Sequence, residues 1–132
     1  RNLTWNLEHP DVAYREWVRV LKVGGKLLNF DANWYGYLYD EEKKEAYEAD
    51  RKKVEEQQLD DHYLCTDIDR MENIARQVPL SAMERPAWDT KVLEFLGVCS
   101  IQTDSEIWKR VWSEEERLNY ASTPMFMIKA VK

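Results

Sequence analysis

The stretch from Pro10 to Ala32 constrains the fold more than any other part of the chain. Ala13, Trp17, Val20 and Leu21 recur at helical spacing, with Arg15, Glu16, Arg19 and Lys22 on the opposite side. That pattern predicts an amphipathic helix running to about Lys22. Pro10 suits the first helical position, Asp11 the positive end of the helix dipole, and Gly24-Gly25 the left-handed exit. Leu27, Leu28 and Phe30 follow with only Asn29 interrupting, as in a strand, Lys26 to Ala32, covered on both faces. Helix, tight turn and buried strand in that order make half of a βαβ crossover whose earlier strand is not in the chain.

From Asp40 to Asp61 there are ten acidic and five basic residues in 22, with Lys44, Glu48, Lys52 and Glu56 alternating in sign at four-residue steps. A solvated helix is expected, held to the surface by a thin stripe, Tyr47 and Val54. Met71, Ile74, Ala75 and Val78 predict a short amphipathic helix before Pro79. Pro86 opens another, carrying Trp88, Val92 and Leu96 and closed by Gly97. Val98 to Thr103 alternates as a half-exposed strand. Ile107, Trp108, Val111 and Trp112 suggest one more helical segment, and Pro124 precedes a final strand, Met125 to Val131.

With 132 residues, 44% of them hydrophobic and six of them tryptophan, the chain can fill one modest core. It divides as 1–37 (loop, helix, first strand), 38–80 (a helical insertion or lid) and 81–132 (helix and two strands), a single partial domain. Nineteen basic residues against 25 acidic give a net charge of -6, which argues against a phosphate-tracking, nucleic-acid-binding protein. No run approaches the roughly 18 apolar residues of a membrane helix, and no basic start leads into an apolar stretch as in a signal peptide. The expectation is a cytoplasmic protein without a membrane partner, its Cys65 and Cys99 free thiols. Arg1 to Leu7 carries neither an apolar run-up nor a capping signal, so the chain reads as a piece of a longer one.

Two stretches carry a resemblance: Arg1-Asn2-Leu3-Thr4-Trp5-Asn6-Leu7, and Arg19-Val20-Leu21-Lys22-Val23-Gly24-Gly25-Lys26-Leu27-Leu28-Asn29-Phe30-Asp31-Ala32-Asn33-Trp34. Together with Arg85-Pro86-Ala87-Trp88-Asp89 and the ending Thr123-Pro124-Met125-Phe126-Met127-Ile128-Lys129-Ala130-Val131-Lys132, they resemble the second half of class I S-adenosylmethionine-dependent methyltransferases of the small-molecule type. There an "RVLKPGG" turn joins the fourth helix to the fifth strand. Val23 stands where that family usually has proline, and His9 where it usually has a better helix cap. The resemblance implies a Rossmann-like α/β half-fold in which this chain supplies strands five, six and seven, in the order 5-7-6 with the last antiparallel, flanked by helices. The cofactor, S-adenosylmethionine, is held in the family mainly by a glycine-rich turn after the first strand and an acid ending the second. The glycines here, Gly24, Gly25, Gly36 and Gly97, form no such loop. The chain alone is therefore expected to bind no cofactor and to be inactive, its partners being its missing amino-terminal half and a small-molecule substrate.

By the same resemblance, Asn2, Leu3 and Thr4 lie at the methionine end of the cofactor and Trp5 at the substrate mouth, although a mere starting loop would also account for them. Asn33, Trp34 and Tyr35 follow the carboxyl end of the buried strand, where ligands bind in open α/β sheets. They are the substrate-binding candidates, against the rival reading of ordinary aromatic packing. Asp31 suits either a general base or a turn former, and no catalytic residue is assigned. His62 and Cys65, with Asp60, Asp61 and Asp67 nearby, fall short of a zinc site, so no metal is expected. Arg85 and Asp89 read as a local surface ion pair worth well under 1 kcal/mol, and Trp108 and Trp112 as core. The alternative function is a non-catalytic module that self-associates through an unpaired strand edge, and a third reading is an inert remnant.

Overall fold

Pro10 opens α1 (Pro10–Val20) in the computed structural model, which describes residues 1–132. The helix stops two residues short of Lys22. Leu21 turns extended because the last helical carbonyls find a partner elsewhere: the Lys132 ammonium donates to Arg19 O at 3.0 Å and Leu21 O at 2.9 Å. Gly24 takes φ +75°, and a Cβ on Gly25 would lie 2.7 Å from Lys22 O, so both glycines of the turn are sterically required.

The molecule is mixed α/β, with six helices and a three-stranded antiparallel sheet. β1 (Lys26–Asp31) and β2 (Ser100–Asp104) both pair antiparallel with β3 (Phe126–Val131), which lies between them. Leu28 stands opposite Lys129, Asn29 and Thr103 opposite Ile128, and Ile101 opposite Ala130. Strand alternation splits the faces. Leu27 and β3 residues Phe126, Ile128 and Ala130 pack with Tyr14 and Val18 of α1 and with Leu93 of α4 (Ala87–Phe95). Phe30 and Met127 face Ile107, Trp112 and Met125 on the other side. That second layer covers only the carboxyl end of β1, so Leu28 is 56% exposed. The expectation of a strand buried on both faces is corrected accordingly.

The segment 38–80 folds as α2 (Glu41–Glu56) and α3 (Ile68–Ala75), capped by Asp40 and Asp67, whose carboxylates accept from Lys43 N and Arg70 N. α2 is better anchored than its charge suggested: Asp50 is buried and accepts from Ser122 N, and Val54 is buried with it. α5 (Trp108–Val111) is one turn long. α6 (Glu114–Asn119) was not anticipated, although Ser113 and Glu116 form a capping box legible as S-x-x-E. No helix is long and apolar enough to cross a membrane.

Candidate functional site

Asp31 ends β1 at zero exposure, and its two oxygens accept four donors. Oδ1 takes Ala32 N (3.0 Å) and Trp34 Nε1 (3.1 Å); Oδ2 takes Trp5 N (2.9 Å) and Arg85 Nη1 (2.8 Å). Four donors exhaust the lone pairs of a carboxylate, so Asp31 is a positioning group for Trp5 and Trp34 and has none left to accept a substrate proton. Arg85 grips Asp89 with two parallel bonds, Nε to Oδ2 at 2.9 Å and Nη2 to Oδ1 at 2.7 Å. Asp89 Oδ1 also accepts the Tyr14 hydroxyl at 2.6 Å, and the Tyr14 oxygen accepts Asn29 Nδ2 at 2.7 Å. The Arg85 and Asp89 side chains are 1% and 0% exposed. The pair expected on the surface is thus the centre of a buried network joining α1, β1 and α4. Burial by itself would lower the Arg85 pKa, but the Asp89 and Asp31 carboxylates more than offset it and raise it. Burial, then Asp89, pushes the Tyr14 phenol well above its ordinary value.

Above this network, beyond the carboxyl end of β1, lies a cavity of about 220 Å³. Asn2, Trp5, Trp34, Tyr35, His62, Tyr63 and Tyr120 are among the residues that line it. Rings interlock around it: Trp5 and Tyr35 centroids are 5.0 Å apart, Trp34 and Tyr120 5.2 Å, Tyr63 and Tyr120 5.7 Å. Burial, then Glu72, pushes Tyr35 up to about 12, and burial also raises Tyr63 and Tyr120. The phenols around the cavity are therefore neutral at neutral pH.

Four of the seven candidate residues meet in that cavity. Leu3 and Thr4 instead border a second groove, about 330 Å³, with Trp17, Val20, Leu27 and Leu28 beside β1. Asn33 is turned away: its Oδ1 accepts Arg85 N at 3.2 Å and its Nδ2 donates to Arg85 O at 2.9 Å, on the wall of a separate 210 Å³ cavity.

His62 and Tyr120 were not among the candidates. The His62 ring lies 3.0 Å (Nδ1) from the Tyr120 hydroxyl and 3.1 Å (Nε2) from Glu115 Oε1. Cys65 Sγ donates to His62 O at 2.9 Å, and no group of three or more His, Cys, Asp and Glu side chains is arranged to hold a metal. For a nucleotide-type cofactor the fit is partial. Aromatic faces at the cavity suit a cationic methyl donor, whereas the adjacent glycines, Gly24 and Gly25, sit at the amino end of β1, away from the cavity. Comparison with protein families, characterised proteins and solved structures finds no match to this chain.

Proposed function

We propose that this chain is the carboxyl-terminal half of a class I S-adenosylmethionine-dependent methyltransferase acting on a small molecule. It supplies the substrate-side wall and the lid, and the other half holds the cofactor. The observation that carries the reading is the sheet: the last strand lies antiparallel between the other two, and the cavity opens beyond the carboxyl end of β1. The two outer edges differ in the way this reading requires. The rim strand β2 carries Ser100, Gln102 and Thr103 exposed, the dressing of a permanent edge. Lys132 N donates to Gly25 O at 3.0 Å, and the antiparallel alternation from that pair turns the backbone of Lys26, Leu28 and Phe30 away from β3. Phe30 O accepts Asn2 N at 2.8 Å on that side. Next to it run the exposed Leu28 and the apolar groove of Trp17, Val20 and Leu27, a surface suited to a neighbouring strand and its covering helix.

S-adenosylmethionine, when bound, supplies an activated methyl group on a sulfonium. Trp5, Trp34 and Tyr35 form the aromatic wall facing that end, where a ring within about 6 Å attracts a cation. Asp31 and Arg85 fix Trp5 and Trp34 in place, so alignment of acceptor and donor rests on a rigid base. No cradle for the nucleotide end comes from this chain, and by itself it is inactive.

Calorimetry tests both halves of the statement. The 132-residue chain is expected to give no saturable heat with millimolar S-adenosylmethionine, and a longer protein ending in it a saturable isotherm. Binding to the chain alone overturns the division of labour, and no binding to the longer protein overturns the methyltransferase reading. The free β1 edge also favours a second reading, self-association of two copies. Sedimentation decides it: a dimer that Leu28→Lys dissolves supports pairing through this edge, and a monomer contradicts it.

A further inference from the structure

The geometry points to Glu115, His62 and Tyr120 as a proton relay serving one class of methyl acceptor, a single-ring compound with an ionisable hydroxyl. The inference rests on the methyl-transfer reading of the same cavity and adds to it a base and a substrate class.

His62 follows α2 in the turn before α3, and its backbone is already held there without its ring. His62 N donates to Asn119 Oδ1 at 3.0 Å, and Asn119 Nδ2 donates to Asp60 O at 3.0 Å. The imidazole is thus free for its own two bonds, one to Tyr120 and one to Glu115. Only one tautomer satisfies both: Nε2–H donates to the Glu115 carboxylate, and Nδ1 accepts the Tyr120 O–H. His62 and Tyr120 both line the cavity, and Tyr120 is fixed by the Trp34 ring at 5.2 Å and the Trp112 ring at 5.6 Å.

Burial, with Cys65 and Glu116 nearby, holds the Tyr120 phenol neutral, the Arg51 and Arg1 cations opposing this weakly. A phenol held neutral does not keep a negative charge; it transmits a proton. Glu116 does not compete as the relay acid, because Ser113 N and the Arg1 guanidinium already occupy its oxygens. The step then balances as follows. The acceptor hydroxyl gives its proton to the Tyr120 oxygen, and the Tyr120 proton passes to His62 Nδ1. Were a sulfonium methyl donor bound, the electron pair left on the acceptor would form the oxygen–carbon bond as the carbon–sulfur pair left on sulfur, and the positive charge would end on the His62 imidazolium, facing Glu115. Tyr120 and His62 are catalytic residues in this scheme and Glu115 a positioning residue.

The site is an open cleft, and its volume of about 220 Å³ leaves room for one ring and a substituent, since about 150 Å³ is enough to bind benzene. Walls of neutral rings favour a planar guest.

The test uses 4-nitrophenol and the chain without any methyl donor, below the probe's own ionisation midpoint. The bound probe is expected to show a severalfold excess of phenolate absorbance over the free probe. His62→Gln and Tyr120→Phe should each abolish the excess while the probe still binds, and Glu115→Gln should reduce it at unchanged affinity, which a packing role would not do. Nitrobenzene, lacking the hydroxyl, needs no variant and should bind several times more weakly. Failure of 4-nitrophenol to bind, nitrobenzene binding equally well, or a phenolate excess that survives both substitutions overturns the relay. No sulfonium is present, so these results stand apart from the calorimetry that judges the methyltransferase reading.

Discussion

Two arginines organise this molecule, and they do so differently. Arg85 lies beneath the cavity with its side chain 1% exposed, and Nε, Nη1 and Nη2 all donate to carboxylates. Arg51 belongs to the 38–80 segment, its side chain 15% exposed. It donates to Asp61 and to the side chain and carbonyl of Asn119, lies 4.6 Å from the Tyr63 ring centre, and leaves its buried Nε without a partner. Each guanidinium makes three hydrogen bonds, but Arg85 spreads them over all three nitrogens and only onto carboxylates, whereas Arg51 leaves Nε bare and spends two of its three on Asn119. The Arg85 site is a fixed foundation under Trp5 and Trp34. The Arg51 site is a clasp between α2 and α6 that can be released at lower cost.

The sharpest way to break the comparison is to remove each arginine. Arg85→Met strands Asp31 and Asp89 as unpaired buried carboxylates, and urea unfolding should show a loss of about 3–5 kcal/mol. Arg51→Met should lose about 1–2 kcal/mol, because Asp61 keeps hydrogen bonds from Tyr63 N and Leu64 N and some access to water. Hydrogen exchange in that variant should quicken in α2 and α3 and leave the sheet amides unchanged. Equal losses from the two substitutions would contradict the distinction.

Alkali sharpens it without mutation. Burial raises Tyr14 in the foundation and Tyr35, Tyr37 and Tyr63 in the aromatic cluster packed with Tyr47, Ile68 and Met71. A phenol raised in the folded state contributes stability that is complete below the unfolded value of about 10 and is lost as pH climbs through the folded value. Stability should therefore hold to about pH 10 and fall beyond it, with Tyr35 ionising near 12 if that cluster is still intact. Ultraviolet titration of tyrosinate alongside circular dichroism checks this; ionisation of all these phenols near the ordinary value in a folded chain would contradict the buried cluster. The smallest effect belongs to neither arginine: Leu28→Lys, at a half-exposed position, should change the stability of the monomer by less than about 0.5 kcal/mol.

The turn at Gly24-Gly25 and the three strands were legible because local signals, periodicity and glycine geometry, fix them, whereas the central place of the last strand was expected only from the family resemblance. Leu28 was misread since an apolar strand residue does not say which neighbour covers it. Arg85 and Asp89 were misread for a related reason: four-residue spacing looks the same on a solvated helix as on one whose pair points at a strand 54 residues earlier, at Asp31. Trp34 and Tyr35 were chosen because position at the carboxyl end of a strand is a topological property, whereas Asn2 and Trp5 came from the family resemblance alone. His62 and Tyr120 could not, since their 3.0 Å contact depends on how the 38–80 segment folds back onto α6. The Ser113-Glu116 capping box was the available clue to that helix.

The most direct test is the structure of a longer protein ending in these residues, solved with S-adenosylhomocysteine. A further strand should lie on the open side of β1 along Lys26, Leu28 and Phe30, its covering helix over the Leu28 groove, with the thioether sulfur at the cavity edged by Trp5. A β1 edge that stays open, or a sulfur bound far from Trp5, contradicts the account.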